Sequence, residues 1–154
     1  MKHLLIIAAR FISTMGFAQS ATEEVDLIQS LYGMEKKEIV ADFIKLNSTQ
    51  SAEFWKLYDA YEMERKALGK ERINLLEDYA MHYGTLDDAK TDELTKRMIS
   101  LGAKTDKLIA TYYNKMKKPA GVKAAAQFVQ IEQYLLSSIR AAVLEEIPFI
   151  GELD

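Results

Sequence analysis

Between Gln19 and Lys118 apolar residues return every three or four positions and no proline interrupts them, a pattern that predicts long amphipathic helices. The first runs from about Thr22 to Phe43, with Val25, Ile28, Leu31 or Tyr32, Ile39 and Phe43 on its apolar side and Gly33 as a candidate break. The second opens more sharply. Leu46 precedes Asn47, whose side chain can accept from free backbone N–H groups, and Gln50 stands three places on, as a capping box requires. From there to about Tyr83 one stripe reads Phe54, Tyr58, Tyr61, Leu68, Leu75 and Tyr79, and another reads Trp55, Ile73, Leu76, Ala80 and Tyr83. Two stripes on one helix require neighbours on two sides, hence a bundle.

Gly84 ends this helix, and Thr85-Leu86-Asp87-Asp88 restarts the chain with a capping hydroxyl and early carboxylates that suit the helix dipole. The third helix extends to about Lys118 and buries Leu94, Met98, Leu101, Leu108, Tyr112 and Met116, while Lys115, Lys117 and Lys118 suit its C-terminal carbonyls. Pro119-Ala120-Gly121 then breaks the chain. A fourth helix follows from about Val122 to Glu146, with Ala124, Phe128, Ile131, Leu135, Ile139 and Ala142 inward, until Pro148 stops it and leaves Ile147-Pro148-Phe149-Ile150 as an extended apolar tail. No stretch alternates with period two, so no sheet is expected.

The expected fold is all-α, a long antiparallel helical hairpin within a three- to four-helix bundle. Folding the second and third helices about Gly84 brings Gly69 and Gly102 to one level, a candidate close crossing or bend. The same count gathers Phe54, Trp55, Tyr58, Tyr61, Tyr112 and Tyr113 at the end distant from the turn. Helices of this length span roughly 50 Å at 1.5 Å per residue, which exposes much surface or favours a homodimer.

The N-terminus has a different character. Lys2 precedes an apolar run over residues 4–9, and Gly16-Phe17-Ala18 puts small residues at the minus-three and minus-one positions before Gln19. Residues 1–18 therefore read as a secretory signal peptide cleaved near Ala18, with residues 19–154 as one helical domain and a periplasmic or secreted destination. Arg10 is an unusual charge within such a segment. No later stretch approaches the roughly 18 apolar residues of a membrane span. Cleavage takes Lys2 and Arg10 with it and moves the formal net charge from −3 to −5, an acidity that argues against nucleic acid as a partner.

Composition narrows the chemistry further. The 154 residues include no cysteine and two histidines, which removes disulfides, zinc-thiolate sites, iron–sulfur clusters and thiol nucleophiles. With His82 the one histidine left after cleavage, a di-iron bundle of paired Glu-x-x-His units is excluded, and neither a glycine-rich phosphate loop nor a nucleophile elbow occurs. Asp78 and His82 share one helical face, the spacing of a hydrogen-bonded pair more often than of a metal site. Glu62, Glu64, Arg65 and Lys66, like Lys70, Glu71 and Arg72, mix signs and read as a solvated face. A tyrosine stripe at helical spacing is most often core with its hydroxyls at the rim. No catalytic residue, metal or cofactor is expected, and the chain reads as a binding protein rather than an enzyme.

Leu46-Asn47-Ser48-Thr49-Gln50, opening a long charged helix behind a secretion signal, resembles the Leu-Thr-x-x-Gln motif of the Spy and CpxP periplasmic proteins, with Asn47 in the capping place of the threonine. The run Phe54-Trp55-Lys56-Leu57-Tyr58-Asp59-Ala60-Tyr61 with Glu64-Arg65, Pro119, Phe128-Val129-Gln130-Ile131-Glu132, Arg140 and Ile147-Pro148 resembles a group of small secreted bacterial helical proteins loosely associated with Spy and CpxP. The resemblance implies an ATP-independent chaperone or envelope-stress binding protein. Its structural positions would be Leu46, Asn47, Gln50, Pro119, Phe128, Gln130, Glu132, Arg140 and Pro148. On this reading unfolded clients are held through Phe54, Trp55, Tyr58 and Tyr61. The alternative is a sensor-modulator or interaction module that docks one specific envelope protein, with Phe149 and Ile150 of the tail as its contact.

Overall fold

A computed structural model describes Gly33 and residues 35–152. The expected signal peptide, and Val25, Ile28, Leu31 and Tyr32 of the first helix, lie outside the described residues. The described chain is all-helical. Helix α1 covers residues 35–43, α2 is Ser48–His82, a 3₁₀ turn spans Tyr83–Thr85, and α3 is Asp88–Leu144.

The sequence explains these boundaries. Asn47 sits in extended backbone and its Oδ1 accepts from the amides of Thr49 and Gln50 at 3.1 and 3.0 Å, while the Asn47 amide donates to Gln50 Oε1 at 3.3 Å. The predicted capping box is thus formed in full. The restart differs from expectation. Thr85 belongs to the 3₁₀ turn and its hydroxyl donates back to the His82 carbonyl, so the cap of α3 is Asp87, which accepts from the Lys90 amide at 2.8 Å.

Pro119 does not break the chain. It lies inside α3 and removes one rung close to where the first arm of that helix ends, at Gly121. The break falls on Gly121 alone, at φ 86° and ψ 158°, a conformation essentially closed to residues with a Cβ. Residues 122–144 then return along the bundle. Buried Ala120, Ala124 and Ala125 flank the reversal and keep the two arms of α3 close.

Contacts fix the directions. Glu64 meets Tyr112 and Glu71 meets Lys104, so residues 88–120 run back along α2. Tyr58 packs on Phe128, Tyr61 bonds Glu132 and Tyr79 bonds the Pro148 carbonyl, so residues 122–144 run parallel to α2. α1 lies antiparallel to α2, with Lys36 on Glu62 and Lys37 on Asp59. One large core joins α1, α2 and both arms of α3 around Phe54, Tyr58, Tyr61, Tyr112, Met116 and Phe128. A small one, of Leu75, Leu94 and Leu101, lies near the turn.

Three expectations change. On α1 and the residue that follows it the buried face is Lys36, Val40 and Ile44, whereas Phe43 is 41% exposed, because the pairing of Lys36 rotates the helix by one position. Met98 faces solvent, and Thr105 and Ile109 are buried instead. At Gly102 a Cβ would meet nothing within 4 Å, so no close crossing exists there.

Candidate functional site

The aromatic residues expected to hold clients do gather at the end distant from the turn, but they face inward. Phe54, Tyr58 and Tyr61 are fully buried, and only Trp55 is partly exposed. Most of their rings pack edge-on or tilted, with Tyr61 at 5.0 Å and 90° to Phe128 and 5.5 Å from Tyr112, and Trp55 at 5.4 Å from Tyr58, while Phe54 and Tyr58 stack at 6.3 Å. Such offset geometry is what ring quadrupoles favour in a filled core. Phe54, Tyr58 and Tyr61 therefore build the core and offer no surface to a client.

Within this shell lies a charge network. Lys36, 1% exposed, donates at 2.6 Å to Glu62 Oε1 and at 2.6 Å to Glu132 Oε2. Tyr61 donates its hydroxyl to the same Glu132 oxygen at 2.6 Å, and Arg65 Nε reaches both oxygens of Glu62 at 3.0 and 2.9 Å. The Lys36 ammonium also lies 5.1 Å from the centre of the Tyr61 ring. Two cations thus meet two carboxylates in a place with almost no water, which strengthens every pairing and penalises any charge left over. Glu132 Oε1 has no hydrogen-bond partner among the described residues. Burial pushes the Glu132 carboxyl above the ordinary range, against the opposing pull of Lys36. The Tyr61 hydroxyl is pushed up as well, by burial first and the Glu132 charge second.

Glu62 and Arg65 are buried members of this network, not part of a solvated face as their mixed signs suggested. Their spacing carried the signal, since Tyr58, Tyr61, Glu62 and Arg65 stand at i, i+3, i+4 and i+7, the period of the aromatic stripe. Lys36, Val40 and Ile44 repeat at four-residue steps in the same way.

Gln50 has a second task. Besides closing the capping box, its Nε2 donates at 2.9 Å to the carbonyl of Ala120, which the break at Gly121 leaves without a helical partner. One side chain therefore ties the start of α2 to the reversal in α3. Leu46 packs on the large core beside it. Of the other expected structural positions, Phe128 and Glu132 are fully buried, Gln130 is exposed and Arg140 is half-buried.

At the turn end the tail is held by its backbone. Tyr79 and Tyr83 donate their hydroxyls at 2.8 Å to the carbonyls of Pro148 and Phe149. Phe149 and Ile150 point their side chains outward, 66% and 57% exposed. Nearby, Asp78 accepts from Arg97 and from Lys90 and meets His82 Nδ1 at 3.0 Å, so it anchors an ion-pair hub and not a bare Asp–His pair. Hydrogen bonds from Arg97 and Lys90 hold the Asp78 carboxyl below its ordinary range, and those from Lys90 and Arg97 do the same for Glu93.

An open groove of about 440 Å³ runs between the two arms of α3, lined by Ile109, Ala110, Tyr113, Ala126 and Val129 with Asp106 and Gln133 at its rim. Among the described residues no cluster of His, Asp and Glu could hold a metal ion, and no helix is long and apolar enough to cross a membrane. No family model, curated protein or solved structure matches the chain significantly.

Proposed function

We propose that this protein is a non-catalytic binding module of the bacterial envelope that docks a partner protein through the outward-facing Phe149 and Ile150 of its C-terminal tail. One observation carries this reading. Two tyrosine hydroxyls fix the tail's carbonyls, so its apolar side chains are displayed on a held backbone at little ordering cost to a partner. Filled aromatic packing where a ligand cavity would otherwise lie supports a surface role over an interior one. The capped helix opening at Asn47, clasped to the α3 reversal, is in keeping with a hairpin of the Spy and CpxP kind, and residues 1–18 with export to the periplasm.

A second reading, ATP-independent holding of unfolded clients, draws on Met63, Met81 and Met98, which are 72%, 68% and 50% exposed. Flexible thioethers suit adaptable contacts. A photoreactive residue placed at position 149 in cells separates the two. Docking gives one cross-linked species, lost when Ile150 is changed to Asp, and client holding gives a smear accompanied by suppression of model-substrate aggregation. Cross-linking to nothing at all removes the tail from the function.

A further inference from the structure

Arg140 differs from the cations of the bundle that are paired with carboxylates. Its Nε is buried and has no hydrogen-bond partner among the described residues, where Lys36, Lys90, Arg97 and Lys104 all meet carboxylates. The parallel register of α2 and residues 122–144 says what lies opposite it. Tyr61 meets Glu132 and Tyr79 meets Pro148, at separations of 71 and 69 positions, so Arg72 falls level with residues 141–143, within one turn of Arg140. Consistent with that approach, the Arg72 guanidinium is held below its ordinary value, by burial first and by the charge of Arg140 second. Both side chains are half-buried. Along α2, Glu71 is committed to Lys104 and Asp78 to Lys90 and Arg97, and no ion pair joins Arg72 or Arg140 to Glu77, Glu145 or Glu146 among the described residues.

Two guanidiniums placed together with no carboxylate between them repel one another and leave donors unsatisfied, a cost that a fold keeps where something else supplies the negative charge. We propose that Arg72 and Arg140 form a seat for a phosphate monoester or inorganic phosphate where α2 and residues 122–144 run side by side. The charge count selects phosphate over carboxylate. A phosphate dianion neutralises both guanidiniums and offers enough oxygens for a bidentate pair to each, whereas one carboxylate leaves a net positive charge half-buried.

The test is titration of the full mature chain with inorganic phosphate at constant ionic strength, read by calorimetry and by the arginine Nε–H resonances. Wild type binds and the Arg140 Nε–H signal shifts. Arg72→Gln and Arg140→Gln bind about tenfold or more weakly, the loss expected for one charge-assisted bidentate contact, yet are no less stable than wild type in phosphate-free buffer because the repulsion is gone. Cosedimentation with phosphatidic acid vesicles tells the source: binding lost in both variants assigns a lipid headgroup, and its absence assigns a soluble phosphate. Phosphate affinity equal in wild type and variants, or an Arg140 Nε–H resonance unmoved by saturating phosphate, overturns the proposal.

Discussion

Around the reversal at Gly121, four helical segments enclose Lys36, Glu62, Arg65 and Glu132 beneath aromatic rings, whereas near Gly84 Asp78, Lys90, Glu93 and Arg97 pair on the outside of a small leucine core. Fifteen buried residues make up the first core and three the second, among the described residues. The difference shows what a large apolar enclosure permits. Charges taken out of water cost several kcal/mol each unless paired closely, so they survive only where surrounding burial offsets the cost. In return they select one arrangement. α1 and the residue after it contribute few apolar side chains, Val40 and Ile44 foremost, and an apolar face alone would tolerate rotation or sliding. Lys36, caught between carboxylates from α2 and α3, allows one position.

Core truncations should divide the two ends most sharply. Phe128→Ala opens a hole in the centre of the large core and is expected to cost about 3–5 kcal/mol, and Leu75→Ala nearer 2 kcal/mol because its site borders solvent and can relax. Urea denaturation gives these values, and native-state hydrogen exchange gives their reach. Leu75→Ala should speed exchange near the turn and leave amides around Tyr61 and Tyr112 protected, and Phe128→Ala should speed both. Equal loss of protection everywhere in both variants would mean that the two cores unfold as one.

Next in size is the charge network. Lys36→Met strands Glu132 beside Glu62 and is expected to cost about 3–5 kcal/mol, while Lys36→Met combined with Glu132→Gln recovers most of that and leaves the Glu62–Arg65 pair intact. The two ends should also answer pH in opposite senses. Burial raises the Glu132 carboxyl pKa in the folded state, so its contribution to stability is fully present below the unfolded carboxylate pKa and is lost as pH rises through the higher folded value. Asp78 and Glu93 are lowered by Arg97 and Lys90, so theirs is present above the unfolded pKa and is lost as pH falls through the folded value. Stability should therefore increase as pH drops from neutral into the upper carboxylate range and fall at stronger acid. Glu132→Gln abolishes the first limb only, and added salt weakens the second.

Periodicity made the helices legible, and punctuation made their ends so. Asn47 with Gln50 and the pause at Gly84 needed no tertiary information, and neither did the stripe Phe54, Tyr58, Tyr61 and Leu75. What periodicity cannot convey is which neighbour a stripe meets. The aromatic end was legible as a cluster, but its burial depended on α1, whose inward face is headed by a lysine that a hydrophobic count passes over. Glu62 and Arg65 were hidden for the same reason: mixed charge on a helix ordinarily means solvent, and only the partner Lys36, 26 residues earlier than Glu62, reverses that meaning. The Gln50 bond to Ala120 spans 70 residues and depends on a carbonyl freed by Gly121, so no local pattern could announce it.

The smallest expected effect bears on the turn end alone. Tyr79→Phe removes the hydroxyl that holds the Pro148 carbonyl and keeps the ring that packs on Leu75 and its neighbours. A single neutral hydrogen bond contributes about 0.5–1.5 kcal/mol, so the urea midpoint should move little. The local change should be larger. Released at one of its two anchors, the tail should exchange its amide protons over residues 147–152 much faster and become open to limited proteolysis, while Tyr83 still holds Phe149. Partner cross-linking from position 149 should fall in the same variant, because a tail that is no longer held must be ordered on binding. If Tyr79→Phe instead lowered stability as far as Phe128→Ala does, the tail would be part of what holds the bundle together, and the contrast between a charge-stapled end and a lightly tethered one would fail.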